Sequence, residues 1–141
     1  MDKETLVKGL NTDLSHEYQA VIMYTTYAAV VSGRHRRELR SFFQAEIPDE
    51  TQHAQFLADK ISALDGKPAT EPADVPVTEN PKEMLKNVLE AETETIKRYV
   101  ERRQQAEEYG DYGLVNDLED IISDETNHKE ETEKILRGHW D

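Results

Sequence analysis

Glu50-Thr51-Gln52-His53 and Glu125-Thr126-Asn127-His128 share one pattern, a glutamate three residues before a histidine. On a helix that spacing puts both side chains on one face. Each pair has a lone glutamate thirty-three positions upstream, Glu17 before Glu50 and Glu92 before Glu125. The second set is the first displaced by seventy-five residues, and the same shift carries Tyr24 onto Tyr99. Carboxylate and imidazole donors with open positions suit iron or manganese, with zinc a common surrogate. The repeated set therefore reads as two helical hairpins that together hold a pair of metal ions. The chain has no cysteine, which excludes thiolate-bound metals, iron–sulfur clusters and disulfides.

Charge balance points the same way. All six residues fall on the inward stripe of their helices, where a lone carboxylate would have to protonate or find a counter-charge. No lysine or arginine occupies the adjoining inward positions. Four carboxylates and two neutral imidazoles balance two divalent cations.

The elements that must position these residues follow from hydrophobic period and breakers. Helices are expected over about 3–32, 36–64, 81–109 and 113–137, within one domain spanning 1–141. Leu10, Leu14, Glu17, Val21, Tyr24, Ala28 and Val31 step by four and three along the first. Leu39, Phe43, Glu50, His53, Leu57 and Leu64 share a stripe on the second, which contains Pro48, a residue that kinks helices. On the third the inward residues are Leu85, Val88, Glu92, Ile96 and Tyr99. On the fourth they are Leu114, Leu118, Ile121, Glu125, His128, Thr132 and Ile135. Gly33, Gly110 and Gly138 mark ends, and Asn80-Pro81 with Glu83 marks a start.

Between the second and third helices, Gly66, Pro68, Pro72 and Pro76 prescribe an extended connection. Its sixteen residues reach about 50 Å when extended. The helix they must pass is roughly 38 Å long at 1.5 Å per residue. The connection can thus cross the bundle and make the third helix parallel to the second. The fold class is all-α, an antiparallel-hairpin four-helix bundle with one long crossover. Folding each hairpin brings Glu17 level with Glu50 and Glu92 level with Glu125.

A formal charge of −13 argues against nucleic acid or an anionic membrane as a partner and favours cations. No apolar run is long enough to span a bilayer, and Met1-Asp2-Lys3-Glu4 lacks the features of a signal peptide, so a cytoplasmic location is expected. Ile22, Tyr27 and Val30, with Phe42 and Phe56, form a surplus apolar stripe that predicts a homo-oligomer, at least a dimer.

Other residues are assigned by position. His16, His35 and His139 lie off the seam and are not expected as ligands; Trp140 belongs to a short tail. Arg34-His35-Arg36-Arg37 reads as a solvated corner. Glu46, Glu90 and Glu94 flank the ligands but miss the seam, Glu46 being the best placed to help a metal enter. Asp49 and Asp124 each lie four residues before a site histidine. Through the internal two-fold, Asp124 should orient His53 and Asp49 should orient His128. Tyr24 and Tyr99 lie two helical turns beyond Glu17 and Glu92. A buried phenol needs an acceptor, so Tyr24 should reach Glu92 or Glu125, and Tyr99 should reach Glu17 or Glu50. There a tyrosine can hold a ligand and supply an electron.

The two Glu-x-x-His motifs, their upstream glutamates and the crossover resemble the ferritin-like di-iron carboxylate proteins over nearly the whole chain. The set is most similar to the ferroxidase centre of bacterioferritins. The resemblance implies two iron ions per chain, with Glu17 and Glu92 as terminal ligands, Glu50 and Glu125 bridging, and His53 and His128 binding one metal each. It implies oxidation of Fe(II) by O2 or H2O2, in iron detoxification or storage. Three residues depart from the patterns. Bacterioferritins bind haem through a methionine where this chain has Thr51, so no haem is expected. Thirteen residues follow His128, too few for the short fifth helix of ferritin cages. Rubrerythrins carry a further glutamate where this chain has Thr95. A rubrerythrin-like peroxide reductase or another di-metal oxidase is the alternative enzyme, and a metal-stabilised structural bundle the alternative without catalysis.

Overall fold

The computed structural model describes residues 1–138; His139, Trp140 and Asp141 lie outside the described residues. Among the described residues four helices make up the regular structure: α1 (Lys3–Val30), α2 (Arg36–Ala63), α3 (Pro81–Tyr109) and α4 (Tyr112–Leu136). There is no strand among the described residues. None of the helices is long and apolar enough to cross a membrane.

Side chains at the helix ends explain where they begin and stop. Asp2, Asn80 and Asp111 each accept a hydrogen bond from the backbone N–H three residues on, at 2.7, 3.0 and 3.0 Å. This satisfies one otherwise orphaned donor per helix and stabilises it by about 1 kcal/mol. Gly110 closes α3 with φ of 92°, a left-handed conformation that costs any other residue a Cβ clash. α1 stops at Val30, short of the expected Ser32, because Val31 turns to extended backbone and buries its side chain fully. The free carbonyls there are capped from α2: Arg36 Nη1 lies 3.2 Å from Ala29 O, and Arg40 Nη1 lies 2.9 Å from Ala28 O. The basic corner thus works as a cap as well as a solvated surface.

The crossover runs along α1 and fixes the topology. Asn11 brackets it through Lys67 O and the Ala69 N–H, Ser15 O accepts from the Ala73 N–H, and Tyr27 donates to Pro76 O. Contact therefore advances up α1 as the crossover advances. α3 starts beside the C-terminal end of α1, runs antiparallel to it, and is parallel to α2.

Two apolar clusters fill the bundle on either side of a polar layer. One gathers Leu6, Leu10, Leu14, Leu57, Ile61, Ala106, Leu114 and Leu118; the other gathers Met23, Tyr27, Leu39, Phe43, Met84, Leu85 and Val88. Each fully buried leucine or phenylalanine contributes about 1.5–3 kcal/mol, so the clusters clamp the layer between them. The expected stripe is broader than drawn: Val21, Leu64, Ile96 and Ile135 are only half-buried. Tyr27 is corrected from the expected outer stripe to the core. It is fully buried, packs edge-on against Phe43 at 5.8 Å and receives the Asn87 amide at 3.1 Å. Ile22 and Val30 are exposed, and Phe42 and Phe56 are half-buried.

Arg102 was not among the expected inward residues, yet it is 4% exposed. Its guanidinium donates twice to Asp13, at 2.7 and 3.2 Å. Gly9 makes room, since a Cβ there would lie 2.1 Å from Arg102 Nη1. The buried arginine has its own carboxylate and neutralises none of the four on the seam.

Candidate metal centre

The polar layer is made by one short segment from each helix. α1 supplies Glu17, α2 supplies Glu50 and His53, α3 supplies Glu92, and α4 supplies Glu125 and His128. All four glutamates are 2–3% exposed. Glu17, Glu50, His53 and Glu125 each bring a donor atom within 4.8 Å of the others. Glu92, Glu125 and His128 form a second such group. Glu125 is common to both, and Glu50 Oε1 also lies 3.7 Å from His128 Nδ1. The structure thus brings all six expected residues together as two adjoining donor sets that share the carboxylates of the Glu-x-x-His motifs.

Each imidazole is presented the same way. Nδ1 of His53 faces inward, 3.3 Å from Glu125 Oε1 and 3.7 Å from Glu17 Oε2, while Nε2 faces Asp124 Oδ2 at 3.6 Å. His128 Nε2 lies 3.2 Å from Asp49 Oδ2, with Nδ1 inward. An aspartate at Nε2 favours a proton on that nitrogen, which would leave Nδ1 free to bind a metal. The reciprocal pairing of Asp124 with His53 and Asp49 with His128 is the one the seventy-five-residue repeat requires.

Both tyrosines reach the layer. Tyr99 donates to Glu17 Oε1 at 2.5 Å, and Tyr24 donates to Glu92 Oε2 at 3.2 Å. Thr132 donates to the other oxygen of Glu92 at 2.9 Å. Hydroxyls from other helices therefore orient one oxygen of Glu17 and both oxygens of Glu92.

Glu46 is a correction. It is buried at 8% exposure, and its Oε2 lies 2.7 Å from His128 Nδ1, so it joins the layer rather than missing it. The signal was present in the sequence: Glu46 stands one helical turn before Glu50, on the same face. Glu90 and Glu94 stay outside the layer, lining a surface groove with His16 and Arg98.

Electrostatics without metal show how unfavourable the bare cluster is. Burial and the neighbouring Glu17 and Glu125 raise Glu50 well above the usual carboxylate range. Burial, partly offset by Thr132, raises Glu92 to about 8. Burial opposes charge on His53, but Glu125 and Glu17 outweigh it and raise the pKa to about 10. His128 is raised to about 9 against its own burial, chiefly by Glu46. The protein without metal must store protons to hold these groups together.

Whether metal ions suit the layer is decided by its unpartnered atoms. Glu17 Oε2, Glu46 Oε2, Glu50 Oε1, Glu125 Oε1, His53 Nδ1 and His128 Nδ1 are all buried without a hydrogen-bond partner. Buried polar atoms are otherwise paired almost everywhere in proteins. Six orphans aimed at one small volume, all oxygen or imidazole nitrogen, form a donor set that suits hard-to-borderline divalent cations.

Comparison with known proteins agrees with this chemistry. Residues 7–138 match the family model described as the ferritin-like domain. A bacterioferritin of Streptomyces coelicolor is 30% identical over 124 residues, covering 87% of this chain and 74% of that protein. A bacterioferritin of Rhodobacter capsulatus is 27% identical, covering 87% and 77%. Among solved structures, a ferritin-like di-iron carboxylate protein of Bacillus anthracis superposes with a TM-score of 0.94 at 48% identity, covering 96% of this chain and 99% of that one. A dodecameric thioferritin, the bacterioferritin-related protein of Bacteroides fragilis, superposes with a TM-score of 0.88 at 27% identity, covering 97% and 87%.

Proposed function

We propose, from the premise that this chain belongs to the ferritin-like domain family, that it is a ferroxidase whose substrate is a pair of Fe(II) ions. The observation that carries the reading is the convergence of buried, unpartnered carboxylate oxygens and imidazole nitrogens from all but one helix on one layer, beside Glu92 of the remaining helix. Glu17 and Glu92 would each hold one iron from the side, Glu50 and Glu125 would lie between the two, and His53 and His128 would each take one. Manganese or zinc would fit the same donors. When both positions are filled, each Fe(II) gives one electron to O2, yielding H2O2, or to H2O2, yielding water, with two protons consumed in either case.

The chain's own groups have distinct parts in this. Tyr24, Tyr99 and Thr132 fix the outer carboxylates, so the metal positions are set before iron arrives. Asp49 and Asp124 keep Nδ1 of each histidine free. The two tyrosines also stand where a phenol could donate an electron to a half-completed reaction. Clusters of leucine and phenylalanine above and below exclude bulk water from the layer. Two named relatives are bacterioferritins and a third is dodecameric, which supports iron detoxification or storage by an assembly of several copies.

Anaerobic loading with Fe(II), metal analysis and a stopped-flow record after adding O2 or H2O2 test the reading. Two irons per chain and rapid formation of Fe(III) absorbance are expected with one of the oxidants. Two tightly held zinc ions with no oxidation of added Fe(II) would leave a metal-stabilised structural bundle instead. Rapid consumption of H2O2 with turnover only from an added electron donor would move the assignment to a peroxide reductase.

A further inference from the structure

The internal two-fold that relates the six donors breaks at two places: Thr132, which bonds Glu92, corresponds to the apolar Leu57, and a carboxylate on one side has no counterpart on the other. Moving Glu46 by the seventy-five-residue repeat lands on Ile121, which is also buried, at 6% exposure. The His53 side of the centre therefore has an isoleucine where the His128 side has a carboxylate. Glu46 is more than nine-tenths buried, and its Oε2 has no hydrogen-bond partner.

Its nearest neighbour explains what that oxygen faces. Oε2 lies 2.7 Å from His128 Nδ1, yet without the angle of a hydrogen bond, and both atoms remain unpartnered. Asp49 Oδ2, on the opposite edge of the ring, faces Nε2 at 3.2 Å. Nδ1 and the Glu46 carboxylate oxygen thus face each other, and either a proton or a divalent cation between them would hold them at that separation. Glu46, Asp49 and His128 do gather as a group of donors, but one imidazole cannot give both nitrogens to one ion. Glu46 is on the Nδ1 edge with Glu50 and Glu125, so it belongs to the metal position inside the bundle.

We propose that Glu46 is a seventh ligand, serving only the His128-side metal, and that it makes the two metal positions unequal, with the His128 side filled first. This rests on the two-metal reading above. That side has Glu46 and Glu92 besides the shared Glu50 and Glu125, whereas the His53 side has Glu17 besides the shared pair. One more negative charge at contact distance favours a divalent cation there in a buried setting where solvent screens little. Glu46 and His128 are also more exposed than the four deeply buried glutamates, so this position lies nearer solvent and is the first that an arriving ion meets.

Anaerobic titration with Co²⁺, followed by calorimetry and by its visible absorption, tests this without any turnover. Wild-type protein should bind two Co²⁺ per chain in two phases whose affinities differ at least about tenfold. Glu46→Gln should keep the total at two but weaken the tight phase about tenfold or more, and Glu46→Asp should restore part of it. His128→Ala should abolish the tight phase, while His53→Ala should leave it. Mössbauer spectra of wild-type protein holding two ⁵⁷Fe(II) should show two distinct doublets, a readout that needs no variant to fold. Two equal Co²⁺ phases in wild type, a Glu46→Gln isotherm that superimposes on wild type, or a single doublet would overturn the inference while leaving the two-metal centre standing. Fewer than two Co²⁺ bound by wild type would overturn the two-metal reading and this inference together.

Discussion

Tyr99 on α3 donates its phenol proton to Glu17 on α1 across 2.5 Å of fully buried space, and Tyr24 does the same to Glu92 from the opposite helix. Burial first, and then the nearby carboxylates, raise both phenols well above their ordinary range, so each stays a donor at every working pH. The double variant Tyr24→Phe/Tyr99→Phe should therefore still bind two metals, because all six donors remain. Its oxidation of Fe(II) should be slower or should release different products, since two carboxylates lose an orienting bond and the phenol electrons are gone. Stopped-flow absorbance with product analysis checks this; unchanged rates and products would remove the tyrosines from the chemistry.

Asp49 and Asp124 are half-exposed, yet each faces the outer nitrogen of a site histidine. Replacing either by alanine should weaken the metal at its own histidine by roughly 10–100-fold, the usual cost of losing such a partner. Total stoichiometry at saturating metal should stay at two. Calorimetric titration of the two single variants would detect the loss. An isotherm indistinguishable from wild type would make them ordinary surface charges.

Glu50→Ala removes a carboxylate shared by both donor sets. It should lower the metal bound after anaerobic Fe(II) loading below two per chain and suppress rapid oxidation. Metal analysis on the desalted protein measures this directly. Retention of two tightly bound ions would contradict the placement of Glu50 between them.

The pH dependence of the metal-free protein follows from the raised groups. His53 and His128 titrate in the fold at about 10 and about 9, above the ordinary histidine value of 6.5. Their stabilising charge is fully present below about 6.5 and is lost as pH rises through those values. Glu92, at about 8, binds a proton in the fold that the unfolded chain has lost above its value of 4.5, so its contribution also declines with rising pH. The Tm of metal-free protein should fall between pH 6.5 and 9. Divalent metal displaces these protons, so the Tm gained on adding Co²⁺ should grow over the same interval. Differential scanning calorimetry with and without metal checks both signs.

Arg102→Met should destabilise the bundle by about 3–5 kcal/mol, because it strands the buried Asp13 carboxylate. Asp13 already titrates at about 6 despite Arg102, its burial being the larger effect. The double variant Asp13→Leu/Arg102→Met should recover much of the loss, as replacing a buried pair by apolar residues often does. Urea unfolding of both variants separates a buried ion pair from mere packing.

The sequence alone determined which donors could meet. Repetition of Glu17, Glu50 and His53 at a constant shift, on inward positions of helices whose period and caps are local, predicted a carboxylate–histidine layer and named six of the seven residues that the structure gathers there. The tyrosine and aspartate partners could be placed too, because an internal two-fold converts spacing on one helix into contact with another. Tertiary structure decided what no period along a single helix encodes. Tyr27 faces the crossover and Phe43 rather than solvent, since the crossover covers that side of α1 and offers Pro76 O as an acceptor. Arg102 is buried because Gly9, ninety-three positions away in the chain, leaves the space for its guanidinium. Glu46 shares a face with Glu50 one turn away, but only the packing of α4 puts His128 against it, a contact between helices that depends on how the two hairpins close.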